Sequence, residues 1–173
     1  SGLARGLRSA YLVTGSEPLL IAEACDAIRA AARAQQYADR EVHFLERGFD
    51  WNALLADAAN LSLFASRRLL ELRIGPTPDA EAQKALAGLA ARPPEDTVLL
   101  VSGELERKTL TRAWVRAFEE HGVVVVAQSV ERPALPGWIR DRLGRRGVTI
   151  EPAAAELLAD RVEGNLLAAQ QEV

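Results

Sequence analysis

Five times along this chain a short apolar run is followed by a longer stretch, and this alternation restricts the fold more than any other feature. The runs are 10–14 (AYLVT), 41–46 (EVHFLE), 67–74 (RRLLELRI), 97–102 (TVLLVS) and 122–128 (GVVVVAQ). Each is short, apolar or alternating, and bounded by turn-forming residues, which is strand character. Between them, residues 19–34, 51–60, 79–91 and 108–121 carry helical spacing. Ser16 is placed to cap the first helix with Pro18 in its first turn, and Asp50 to cap the second. Gly75-Pro76-Thr77-Pro78 and Pro93-Pro94 break the pattern where a strand and a helix must end. A β-α unit repeated in this way predicts an α/β fold with a doubly wound, mostly parallel five-stranded sheet. The run at 97–102 is apolar throughout, as a central parallel strand should be.

From about Arg132 the pattern changes. Three helical stretches, 135–146, 152–161 and 165–173, follow with no strand between them, punctuated by Gly147 and Gly164. Two domains are therefore expected, an α/β domain over 1–132 and a small helical domain over 133–173. The chain has no methionine, so Ser1-Gly2 reads as a tag remnant. The last helical pattern is still running at Val173, so the sequence is expected to be a fragment.

Several function classes lose support from composition. The net charge of −3 provides no field that would draw the whole chain onto nucleic acid or anionic lipid. The arginines Arg140, Arg142, Arg145 and Arg146 could form a local DNA-contacting patch, but such a cluster also suits a solvated helix face. Cys25 is the single cysteine and sits in an apolar helical pattern, which suits a small buried side chain. His43 and His121 are far apart and lack ligand spacing, so no metal is expected. No apolar run is long enough to span a membrane and no signal peptide is visible. A cytoplasmic protein is expected.

In an open α/β sheet, ligands bind beyond the carboxyl ends of the strands, often at the first βα loop. Here that loop is Gly15-Ser16-Glu17-Pro18. A phosphate cradle needs glycines that expose backbone N–H groups, a lysine, and a hydroxyl for magnesium. This loop has one glycine, no lysine and a carboxylate that would repel phosphate. Residues 103–109 (GELERKT) imitate the end of such a cradle, but Arg107 stands where the glycine before the lysine is required. No Ser-His-Asp or Cys-His set can be assembled. Neither catalysis nor a cofactor is expected.

The most informative segment closes the second helix. Trp51, Leu54, Leu55, Ala58 and Ala59 form one core-facing stripe. Continued at about 100° per residue, Leu61 stays near the edge of that stripe, while Leu63 and Phe64 fall outside it. Two readings follow: either the helix ends near Asn60 and both side chains turn inward, or they form an exposed apolar anchor for a partner.

Residues 60–64, Asn60-Leu61-Ser62-Leu63-Phe64, resemble the Gln-Leu-Ser/Asp-Leu-Phe peptide by which replication proteins dock on the bacterial sliding clamp. Four further blocks accompany them in order: 11–20 (YLVTGSEPLL), Asp50-Trp51-Asn52, Leu135-Pro136-Gly137-Trp138, and 163–168 (EGNLLA). With 62–67 (SLFASR), these resemble the delta subunit of the bacterial DNA polymerase III clamp loader along nearly the whole chain. The resemblance implies an AAA+-like α/β domain with a degenerate nucleotide site and the clamp-binding element, then a helical lid. In active relatives a sensing arginine follows soon after Gly-Asp/Asn-Leu; here Leu167 follows Gly164-Asn165-Leu166. The resemblance also implies that Leu61, Leu63 and Phe64 act as a wedge, flanked by Asn60 and Ser62. That wedge would bind the β sliding clamp and open one ring interface for loading on primed DNA, without ATP binding or hydrolysis by this chain. Asn60 stands where the peptide has Gln, so its polar contact is shortened or lost. The other clamp-loader subunits would be met through a collar domain outside this sequence, and DNA only within the full complex.

Overall fold

The computed structural model describes residues 6–61, 67–162 and 164–172, apart from the side chains of 57–61. It divides into two compact units, Ser1–Ala127 and Gln128–Val173.

The first unit holds β1 (Ala10–Gly15), α1 (Pro18–Ala34), β2 (Asp39–Leu45), α2 (Trp51–Leu61), β3 (Arg68–Ile74), α3 (Ala80–Ala91), β4 (Thr97–Gly103), α4 (Ala113–His121) and β5 (Val123–Ala127). The strands form one sheet in the order β2-β3-β4-β1-β5, and every pairing is parallel. The expected α/β class, strand number and winding are all present. The first crossover runs from β1 outward to β2, and the next three return across the sheet. Right-handed crossovers therefore put α1 on one face and α2, α3 and α4 on the other.

The two cores show this division. Leu70, Leu72 and Ile74 of β3 pack with Trp51, Leu86, Trp114 and Phe118. Leu69 of the same strand joins Ile21, Cys25 and Ile28 of α1 on the opposite face. Both faces of the central strands are dry, so β1, β3 and β4 are buried at nearly every position. Each fully buried Leu contributes about 1.5–3 kcal/mol.

Three local expectations need correction. Ser16 does not cap α1. Its N–H donates to the carbonyl of Ala127 at 3.0 Å, which ties it to the end of β5. Glu17 is the cap, and its Oε1 accepts from the Leu19 N–H at 3.3 Å. The helix expected over 108–121 is two elements: a 3-10 turn at Arg107–Thr111, an extended Arg112, then α4. The Thr111 hydroxyl donates to the Lys108 carbonyl at 3.0 Å, a local bond that competes with continued helix. Leu55, assigned to the core stripe of α2, is 43% exposed. Burial centres between Trp51 and Leu54, which leaves Leu55 about 70° off that centre. Asp50 does cap α2, accepting from the Ala53 N–H at 2.9 Å.

The second unit has a 3-10 turn (Arg132–Ala134), then α5 (Leu135–Arg145), α6 (Pro152–Val162) and α7 (Leu166–Glu172). Leu135, Ile139, Ala155, Ala159, Leu166 and Ala169 are buried in it. Gly147 takes φ +76 beyond α5, and the Val148 N–H bonds back to the Leu143 carbonyl at 3.0 Å, which closes the helix end. Arg132 pairs with Asp160 and lies 3.9 Å from Glu156. Among the described residues no helix is long and apolar enough to cross a membrane.

Candidate functional site

Two places follow from the sequence: the carboxyl ends of the strands, and the end of α2. At the strand ends lies a cavity of about 840 Å³ whose lining includes Ser16, Cys25, Arg29, Arg73, Ser102 and Glu104. The first βα loop borders it but is built for packing rather than for phosphate. Gly15 has φ +141, and a Cβ there would stand 1.9 Å from the Ala127 carbonyl oxygen. Only glycine permits that approach of two backbones. Several positions that would meet an anion at the start of α1 have no free N–H to offer. The Ser16 N–H is spent on Ala127, Pro18 has none, and the Leu19 N–H already faces the Glu17 carboxylate. In the second imitation of a cradle, Lys108 pairs with Glu106 at 2.6 Å on an exposed turn.

Sequence reasoning missed the cluster beside this cavity. Glu71 of β3 is fully buried, and its carboxylate accepts five N–H bonds. Arg29 supplies Nε at 3.0 Å and Nη2 at 2.6 Å. Arg40 supplies Nε at 3.0 Å and Nη2 at 2.8 Å, and Arg73 supplies Nε at 3.1 Å. Burial alone would raise the Glu71 pKa, but the hydrogen bonds from the three arginines outweigh it and hold the group at about 2. Arg29 is raised well above its ordinary value, chiefly by its bond to Glu71. The cluster ties α1, β2 and β3 together. A Glu in a strand otherwise buried on both faces was the available signal, because a buried carboxylate requires partners.

Cys25 is buried as expected. Burial pushes its thiol up in pKa against the opposing influence of Arg29 and a hydrogen bond with Ser102. That environment disfavours the thiolate a nucleophile needs. His43 meets Glu41 at 2.5 Å and His121 lies 3.8 Å from Glu120. Among the described residues no cluster suited to a metal ion occurs. In the helical unit Arg142 stacks over Trp138 at 4.2 Å and bonds Gln170 at 2.5 Å, whereas Arg140, Arg145 and Arg146 are exposed.

The second place is the end of α2. The backbone of Asn60 and Leu61 forms its last turn. A helix in a βαβ unit runs back against the strands, so Leu61 lies at the amino edge of the sheet, away from the cavity. Ser62, Leu63 and Phe64 lie outside the described residues, as do the side chains of Asn60 and Leu61.

Comparison with known proteins places this arrangement. Residues 11–128 match the family model described as DNA polymerase III, delta subunit. The chain is 35% identical over 171 residues to DNA polymerase III subunit delta of Escherichia coli, covering 98% of this chain and 50% of that protein. It is 27% identical over 173 residues to the protein of the same name from Haemophilus influenzae, again covering 98% of this chain and 50% of that one. The chain thus spans about half the length of the curated relatives it matches. Among solved structures, the Bacillus subtilis DNA clamp loader delta protein superposes with a TM-score of 0.74 at 22% identity, covering 99% of this chain and 53% of that one. A Thermotoga maritima RuvB mutant superposes with a TM-score of 0.53 at 18% identity, covering 96% and 54%. Both structural likenesses speak to the fold alone.

Proposed function

Because this chain belongs to the DNA polymerase III delta-subunit family, we propose that it is the clamp-binding part of a clamp-loader delta subunit, acting in the cytoplasm. Residues 1–132 serve as an AAA+-like domain that carries the clamp-binding element, and residues 133–173 as the helical lid. Leu61, Leu63 and Phe64, with Asn60 and Ser62 beside them, enter an apolar pocket on the β sliding clamp. Burying each large apolar side chain contributes about 1.5–3 kcal/mol. A wedge of this kind opens the ring only through tighter binding to the open form than to the closed one. The rigid α/β unit behind α2 supplies a fixed base for it.

The chain contributes binding rather than catalysis. Its first βα loop has no lysine, commits the Ser16 N–H to Ala127 and turns the Glu17 carboxylate onto the helix start, which supports a role without ATP. A magnesium-bound phosphate in P-loop ATPases is held in part by an aspartate. Here β3 brings Arg73 and Ile74 to the cavity, and neither can ligate a metal. ATP control belongs to the other loader subunits, which this protein meets through parts of the delta subunit beyond these residues. DNA is met only within the assembled complex.

The observation that carries this reading is the family match over 11–128, with the clamp-peptide-like run 60–64 at the end of α2. Co-purification with the cognate sliding clamp tests it. The chain should retain the clamp on an affinity column, and its Leu63→Ala/Phe64→Ala variant should not. Equal retention by both removes the wedge.

A further inference from the structure

The α1 face of the sheet is only partly covered. α1 lies over β5, β1 and β4 and reaches β3 at Leu69 and, through Arg29, at Glu71, while Phe44 at the end of β2 stays exposed. The residues there follow from the register: Arg40 opposite Leu69, Val42 opposite Glu71, Phe44 opposite Arg73. Phe44 is 61% exposed, the position of an anchor rather than of a core residue.

Charge on this face is unbalanced. Three guanidiniums surround one carboxylate, and that carboxylate is saturated and inaccessible. Arg29 is also satisfied, because its Nη1 bonds Asp26 at 2.6 Å. Arg40 and Arg73 are not. Among the described residues Nη1 of Arg40 and both terminal nitrogens of Arg73 have no partner. Both guanidiniums are nevertheless fixed in place, through Glu71 and, for Arg73, by stacking 5.1 Å over the Phe44 ring. Donors held in this way lose little rotamer freedom when an oxyanion arrives.

We propose that Arg40, Phe44 and Arg73 form a docking site for an acidic protein segment, with carboxylates on the two guanidiniums and an apolar side chain against Phe44. Charge complementarity favours a protein segment over nucleic acid. The neighbouring cavity is rimmed by Glu104 and Glu106, which a continuous phosphate backbone would have to pass and a short segment need not. One face of the Phe44 ring also already carries a cation, so that face is closed to a stacking base. The proposal does not rest on the clamp-binding element.

Fluorescence anisotropy with labelled probes at low salt tests the proposal. The probes are a short peptide alternating Glu and Leu, the same peptide with Lys for Glu, and a single-stranded oligonucleotide. The Glu peptide should bind saturably and more weakly as salt rises, and the Lys peptide should not bind. Arg73→Gln should weaken the Glu peptide about tenfold, the loss of one charge-assisted contact. Phe44→Ala should also weaken it; Phe44 itself makes no hydrogen bond to Glu71, and an unchanged melting temperature separates lost binding from lost folding. Absence of saturable binding, equal binding by all variants, or tighter binding of the oligonucleotide to the same residues overturns the proposal.

Discussion

Replacing Glu71 with glutamine keeps the shape of the side chain and removes the charge that three arginines share. The cost follows from the carboxyl group itself. The three guanidiniums outweigh burial and hold its pKa well below the usual carboxylate range, at about 2. A depression of that size corresponds to about 3 kcal/mol of stability. Arg40 and Arg73 are 44% and 43% exposed, so solvent screens part of this and about 2–3 kcal/mol is the better expectation. The sign fixes the pH window. A depressed carboxylate pKa contributes fully above the unfolded value, near 4.5, and loses its contribution as pH falls toward about 2. Urea unfolding of wild type and Glu71→Gln should therefore differ by about 2–3 kcal/mol near neutral pH. At about pH 3 more than half of that gap should be gone. A gap below about 0.5 kcal/mol near neutrality, or one that does not change with pH, would refute the assignment of Glu71 as the charged hub.

Three other outcomes are expected. Gly15→Ala places a Cβ against the Ala127 carbonyl at a φ of +141, and a thermal melt should show it destabilised by at least about 2 kcal/mol. Phe118→Ala empties a fully buried site in the larger core and should cost about 3–5 kcal/mol in chemical denaturation. Asn60→Gln restores the usual first residue of the clamp peptide and should tighten clamp binding in a calorimetric titration, with no change in melting temperature.

Much of the fold was legible because the periodicities were clean. The apolar run of β4 marks a central strand, the alternation of 41–46 marks a strand, and Asp50 announces the helix it caps. The sequence was silent where the decisive contact is distant. Ser16 has every local qualification as a cap, yet the Ala127 carbonyl takes its N–H. Glu71 looks like an isolated charge in a strand, because Arg29 and Arg40 are 42 and 31 residues away. The break at Arg112 depends on a threonine hydroxyl choosing a backbone carbonyl, which residue spacing does not encode. The candidate clamp peptide was legible only by resemblance. Its periodicity fits an inward turn as well as an exposed anchor.

The central claim is that residues 60–64 bind the clamp, and titration calorimetry of this chain against its cognate sliding clamp tests it most directly. Losing both large side chains should remove about 3–6 kcal/mol, so Leu63→Ala/Phe64→Ala should bind more than about a hundredfold more weakly at an unchanged melting temperature. An affinity within about twofold of wild type, well inside the roughly 1.4 kcal/mol that a tenfold change represents, would contradict the account.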